Sequence, residues 1–175
     1  IKSLVTHRGI DVPLGAFVGE IIGESTWEAF SFQVKNGHGI EFDLQPMSDD
    51  GFAICHDQDL TRISGGLYST LVSELDKSKL NTITLEHGRL CELDELLNLL
   101  SNNSKTTSAL HLKKKCQNEG LLDLLIDKLV QFPNLIDGRL ILFDVIPIAA
   151  RYLKKSIPSI DLAASVSDIY DVQRY

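Results

Sequence analysis

The sequence predicts an α/β fold built on a parallel sheet, and three observations lead there. Short apolar runs of strand length alternate with amphipathic stretches of helix length. At 175 residues, 43% hydrophobic and 23% charged, the chain has the size and balance of one globular domain, taken as 1–175. The first four candidate strands also carry ionisable residues at or near their C-terminal ends, where parallel α/β folds bind ligands. An open doubly wound sheet and a barrel both satisfy the alternation.

The elements follow in order. Leu4-Val5-Thr6 is a short apolar strand that runs into His7-Arg8-Gly9, and residues 10–23 are Gly-rich and loop-like. Ser25-Thr26-Trp27-Glu28 has the S-x-x-E form of a capping box, with Ser25 and Glu28 meeting the first free amides of a helix. Trp27, Phe30 and Val34 share one face of that helix, and Asn36-Gly37 stops it. Ile40-Glu41-Phe42-Asp43-Leu44 alternates apolar and acidic residues, the period of a strand, so Glu41 and Asp43 point one way and the apolar three the other.

An Asp49-Asp50-Gly51 turn leads to the strand Phe52–His56, counted as the third. Residues 58–90 form an irregular insertion with turns at Ser64-Gly65-Gly66 and a short helix around Leu71–Leu75. A helix follows at Glu92–Leu100, then a polar loop at 101–107 and the strand Ala109–Lys113. The helix Asn118–Phe132, the apolar strand Arg139–Val145 and a helix opened by Pro147 come next. A last strand is expected at Ile160–Ala164, with the start of a helix near Ser167.

A net charge of −7 argues against nucleic acid or an anionic membrane as partner. Cys55, Cys91 and Cys116 are odd in number and widely spaced, which fits buried thiols in a reducing compartment. No apolar stretch reaches ~18 residues, so no transmembrane helix is expected. The expected location is the cytoplasm; a periplasmic or secreted protein stays open, since the first residue is Ile1. Oligomeric state is not legible.

In a parallel sheet covered on both faces, strands are nearly continuous apolar runs. Here His7-Arg8, Glu41 with Asp43, His56-Asp57, and His111 with Lys113 break that rule on four strands. Paired carboxylates repel unless a cation or proton lies between them, and as hard oxygen donors Glu41 and Asp43 suit Mg²⁺ or Ca²⁺. His7 and His56 have the side chain best suited to proton transfer near neutral pH. Arg8 and Lys113 are cations for an anionic substrate. Together these residue types fit phosphoryl transfer or phosphodiester cleavage. His38, His87 and most of Lys113-Lys114-Lys115 have plain structural or solvated readings. Phe143 and Asp144 are explained as well by packing and capping as by substrate contact, and Asp57 by orienting a neighbour or capping a turn.

These residues carry a resemblance to the glycerophosphodiester phosphodiesterase family. Its His-Arg-Gly is matched by His7-Arg8-Gly9, and its Pro-Glu-Asn-Thr and Ala-Phe in part by Gly23-Glu24-Ser25-Thr26 and Ala29-Phe30. Its Glu-x-Asp stands as Glu41-Phe42-Asp43, and Asp50-Gly51, His56-Asp57 and Leu60-Thr61-Arg62 follow in family order. The resemblance is clear from His7 to about Lys113. It implies a TIM-type (β/α) barrel and metal-dependent hydrolysis of a small-molecule glycerophosphodiester to an alcohol and glycerol phosphate. His7 and His56 would be the acid/base pair, Arg8 and Lys113 would bind phosphate, and Glu41 and Asp43 would bind the metal. Two alternatives share the fold: a degenerate, non-catalytic phosphate-ligand-binding or interaction domain, and a lyase-type lipid phosphodiesterase that yields a cyclic phosphate.

Two departures stand out. Where the family has Glu-x-Lys, with the Glu as third metal ligand, this chain has His111-Leu112-Lys113. Imidazole removes a negative charge and favours Mn²⁺ or Zn²⁺ over harder ions. The second departure is length: a barrel takes roughly 250 residues, so this one is expected to be truncated after about six strands.

Overall fold

The computed structural model describes residues 5–10, 23–103 and 106–164. Its sheet has six strands: β1 (Val5–His7), β2 (Gly39–Pro46), β3 (Phe52–Ile54), β4 (Ser108–His111), β5 (Leu140–Phe143) and β6 (Asp161–Ala163). Five of them run parallel in the order β1-β2-β4-β5-β6, joined by α1 (Trp27–Lys35), α2 (Lys77–Leu80), α3 (Leu93–Ser101), α4 (Glu119–Leu129) and α5 (Pro147–Ser156). Sequential strands that neighbour each other through helical crossovers are the (β/α) pattern expected.

One strand differs from the expected alternation. β3 pairs with β2 in antiparallel fashion, Leu44 opposite Ile54 and Pro46 opposite Phe52. The Asp49-Asp50-Gly51 turn is therefore a true hairpin, with Asp50 at φ 59° and Met47 N donating to the Gly51 carbonyl. Hence β2 is long because it serves three partners: its first half pairs with β1 and β4, its second half with β3.

The first helix is capped one residue later than the capping box predicts. Thr26, not Ser25, is the N-cap, its hydroxyl accepting from Ala29 N at 3.2 Å. Ser25 is instead buried at φ 56°, and Glu28 accepts from Arg89 N rather than folding back on its own helix. Trp27, Phe30 and Val34 do pack toward the core. The Gly-rich stretch lies almost wholly outside the described residues, as does the helix expected near Ser167.

The main core lies between β2, β4 and β5 and the helices. Ile40, Phe42 and Leu44 are fully buried against Phe30 and Val34 of α1, the leucines of α3 and Leu122, Leu125 and Leu129 of α4. A second cluster sits under residues 58–90, where Leu60, Val72, Leu75, Leu80 and Leu90 meet Met47. β3 is the wall between the two. By strand alternation Phe52 and Ile54 face the main core, and Ala53 and Cys55 the second. All three cysteines are buried and unpaired, and burial pushes Cys55 up to about 11, which makes it a poor nucleophile.

Among the described residues no helix is long and apolar enough to cross a membrane.

Candidate active site

Parallel register decides which polar side chains meet. His7 pairs with Glu41 across β1 and β2, and Asp43 pairs with His111 across β2 and β4. Residues two apart share a face, so Glu41, Asp43 and His111 converge. One ligand atom from each lies within 4.8 Å of the others. The His7 ring approaches Glu41 at 3.8 Å.

Arg8 reaches the same place by strain. It sits at φ 49°, followed by Gly9 at φ 79°, where an added Cβ would come within 3.1 Å of Ala29 and Phe30. A left-handed arginine costs on the order of 1–3 kcal/mol. The turn is held by Arg8 N donating to the Glu41 carbonyl and by Gln33 Nε2 donating to the Gly9 carbonyl. It sets the Arg8 guanidinium 3.6 Å from Asp43 and 3.3 Å from Glu24.

His56 arrives by the hairpin. β3 runs back along β2, Cys55 N donates to the Asp43 carbonyl, and His56 returns to the level of the carboxylates. Its carbonyl accepts from Gln45 Nε2 at 2.7 Å and from Lys113 Nζ, and that Nζ lies 3.3 Å from Asp43. Its ring is oriented through Nδ1, 2.7 Å from Asp57 Oδ1. Asp57 Oδ2 accepts from Arg62 Nε at 2.5 Å, and Arg62 pairs in turn with Glu24. A chain of alternating charges thus runs from Arg8 through Glu24, Arg62 and Asp57 to His56. Glu24 and Arg62 matched family motifs in the sequence without acquiring a role.

Asp43 sits at the centre of the positive charge. It is 1% exposed, with His111 Nδ1 2.8 Å from Oδ1 and Arg8 and Lys113 close by. Burial raises its pKa, but the His111 hydrogen bond and the Lys113 charge outweigh that and hold it below the usual aspartate value. Burial, then the neighbouring Asp43 charge, push Glu41 the other way. His111 is raised, chiefly by its bond to Asp43. Its other nitrogen, Nε2, lies 3.1 Å from Asp144.

The donor set fits a divalent cation. Asp43 Oδ2 is buried without a hydrogen-bond partner, and buried carboxylate oxygens in that condition are costly. It lies in a group with a second carboxylate and an imidazole, donors that suit Mn²⁺ or Zn²⁺ as well as Mg²⁺.

Two cavities flank these residues. One of about 630 Å³ is lined by Gln45, His56, Asp57, Gln58, Lys113 and Lys115 among others. A second of about 370 Å³ is lined by Glu24, Arg62, Ser64 and His87 among others. Neither is lined by His7, Glu41 or Asp43. His38, as expected, is structural: its ring meets Gln33 at 2.8 Å.

No protein-family model and no curated protein matches the sequence. Solved structures do. A glycerophosphoryl diester phosphodiesterase from Parabacteroides distasonis superposes with a TM-score of 0.72 at 23% identity, over 99% of this chain and 57% of that one. An Oleispira antarctica phosphodiesterase, solved with sn-glycerol-3-phosphate as product, gives 0.71 at 20%, covering 96% and 67%. A Thermotoga maritima glycerophosphodiester phosphodiesterase gives 0.66 at 18%, covering 97% and 64%. The chain spans 57–70% of the length of such structures. It therefore has the α/β barrel fold of the glycerophosphodiester phosphodiesterases, as a partial barrel.

Proposed function

We propose that the chain belongs to the glycerophosphodiester phosphodiesterase family and contributes the active site of a hydrolase that cleaves a glycerophosphodiester to an alcohol and glycerol phosphate. The observation that carries this reading is the convergence of Glu41, Asp43 and His111 beside Arg8, Lys113 and His7, with His56 brought in by the hairpin. The fold shared with structures of that activity supports it.

Glu41, Asp43 and His111 would hold a divalent cation, which supplies positive charge for the non-bridging phosphate oxygens. Arg8 and Lys113 bind those oxygens from the protein side, Arg8 with the planar fork that matches phosphate. His7 and His56 work as an acid/base pair. One takes the proton from the glycerol hydroxyl that attacks phosphorus, and the other protonates the departing alkoxide. The cyclic phosphate so formed is opened by water with the roles reversed. Asp57 keeps Nδ1 of His56 engaged, so Nε2 is the nitrogen that handles the proton.

The test is turnover of glycerophosphocholine with Mg²⁺, Mn²⁺ or Ca²⁺, alongside His56→Ala. Hydrolysis in the first and its loss in the second are expected. A folded sample inactive with every ion refutes the reading for this chain, and a persistent cyclic product in phosphorus NMR identifies a lyase instead.

A second reading has its own observation. The His111 ring lies between Asp43 and Asp144, with Arg8 and Lys113 also against Asp43. Side chains alone thus offset much of the carboxylate charge, as expected of a non-catalytic, phosphate-binding relative. His111→Glu separates the two. A large gain in turnover marks a weakened metal site, whereas phosphate binding without turnover in either form marks a binding domain.

A further inference from the structure

We propose that Asp144 is a positioning residue for the cation site. It holds His111 by Nε2, so that Nδ1 is the nitrogen presented beside Asp43, and the Asp144–His111 pair supplies what one glutamate supplies in the resembling family. The proposal rests on the cation reading of Glu41, Asp43 and His111 given above.

Asp144 is placed by the fold with unusual care. His111 and Phe143 are register partners on β4 and β5, and Asp144 is the next residue. It takes φ 61°, a conformation few residues other than glycine, asparagine and aspartate adopt readily. Its amide donates to the Ala163 carbonyl at 3.2 Å. Its carbonyl accepts from Gln117 Nε2 at 2.9 Å, and Gln117 Oε1 accepts from Ile146 N at 2.8 Å. The buried Gln117 amide therefore clamps the backbone just after Asp144, from its own carbonyl to the amide of Ile146.

The clamped residue aims its carboxylate at His111, with Oδ2 3.1 Å from Nε2. The imidazole is also stacked on Phe143, with ring centroids 4.8 Å apart and planes 13° from parallel. Position and plane of the ring are thereby fixed, and the Asp144 carboxylate stands at Nε2. Asp144 lies outside the group of three whose ligand atoms fall within 4.8 Å of one another, so it acts through His111 rather than on the ion. The charges agree. With an ion bound the imidazole would be neutral, and with the aspartate behind it would carry one negative charge, the same as the glutamate it replaces. A carboxylate behind a ligating histidine fixes its tautomer and strengthens it as a donor, and its loss typically costs 10–100-fold in metal affinity.

Binding of Mn²⁺ alone, followed by electron paramagnetic resonance of the free ion, tests this without any turnover. Four forms are compared: wild type, Asp144→Gly, His111→Glu and the double variant. Glycine keeps the positive φ accessible, and thermal unfolding checks that each form is folded. Asp144→Gly should weaken binding about 10–100-fold in the wild type. With His111→Glu in place it should cost less than about 3-fold, because no imidazole remains to be held. Equal losses in both backgrounds would show that Asp144 only shapes the turn, and no loss in the first would overturn the proposal outright. Absence of Mn²⁺ binding by wild type is a different pattern: it removes the cation reading, and this inference with it.

Discussion

His56 and Asp57, adjacent in the chain, are joined side chain to side chain, with Nδ1 of the histidine 2.7 Å from Oδ1 of the aspartate. Neighbouring residues in a strand face opposite ways, so the contact requires the chain to leave β3 before His56, and β3 does end at Ile54. Asp57 is in turn anchored by Arg62. The pair is the far end of the chain of contacts that begins at Arg8.

Asp57→Asn tests what that contact does. The side chain keeps its size but loses the charge that orients the His56 ring. On the proposed mechanism kcat falls about 10²-fold, a typical share for one well-placed proton-transfer group, while KM changes little. Steady-state kinetics on glycerophosphocholine measure both. An unchanged kcat would remove Asp57 from the mechanism.

The same residue gives a pH signature. Burial raises the Asp57 carboxyl, but hydrogen bonds from His56 and Arg62 prevail and hold it below the ordinary aspartate value of 3.8. A depressed carboxylate contributes stability that is present above its unfolded pKa and lost as pH falls through the folded one. The Tm gap between wild type and Asp57→Asn should accordingly be full above about pH 5 and close progressively on titration below about pH 4. A gap that widens toward acid would contradict the assignment.

Gly39→Ala addresses the sheet itself. A Cβ at Gly39 would lie 1.9 Å from the Thr107 carbonyl oxygen, which is backbone and cannot swing aside. β2 and the segment leading into β4 would have to part. We expect a loss of about 3 kcal/mol or more in urea unfolding, at or beyond the upper end of ordinary overpacking.

Leu96→Ala probes the main core. Leu96 on α3 is fully buried, and truncation should cost about 2–5 kcal/mol. Leu67 is 74% exposed, and Leu67→Ala should stay within about 0.5 kcal/mol. Chemical denaturation of the two variants gives the comparison.

Much of the sheet could be read from the chain because its signals are local. The alternation of Ile40 to Leu44 requires one dry and one acidic face, and both are present. Strand direction is another matter. A three-residue segment such as Phe52–Ile54 looks the same parallel or antiparallel, and only the Asp50-Gly51 turn hinted at the return. The cap falls on Thr26 although Ser25 beside it is also a favourable acceptor. What decided between them was long-range, since Arg89 N takes the Glu28 carboxylate that a capping box needs. Glu24, Arg62 and Asp144 stayed obscure for a related reason. Each acts through partners that only folding brings near, whereas Glu41 and Asp43 declare themselves two positions apart.

The β2–β3 hairpin also has a consequence in time. Glu41, Asp43 and His56 ride on one short hairpin, whereas Lys113 reaches His56 across 57 positions and His111 reaches Asp43 across 68. Closing long loops delays the contacts that depend on them. The two carboxylates should therefore come together before Lys113 and His111 reach them, leaving the hairpin under part of its self-repulsion until β4 docks. Leu44→Ala, within the hairpin, is expected to slow folding, and Leu142→Ala on β5 mainly to hasten unfolding. The site would then be the last part of the sheet to become comfortable, its chemistry waiting on the arrival of a distant strand.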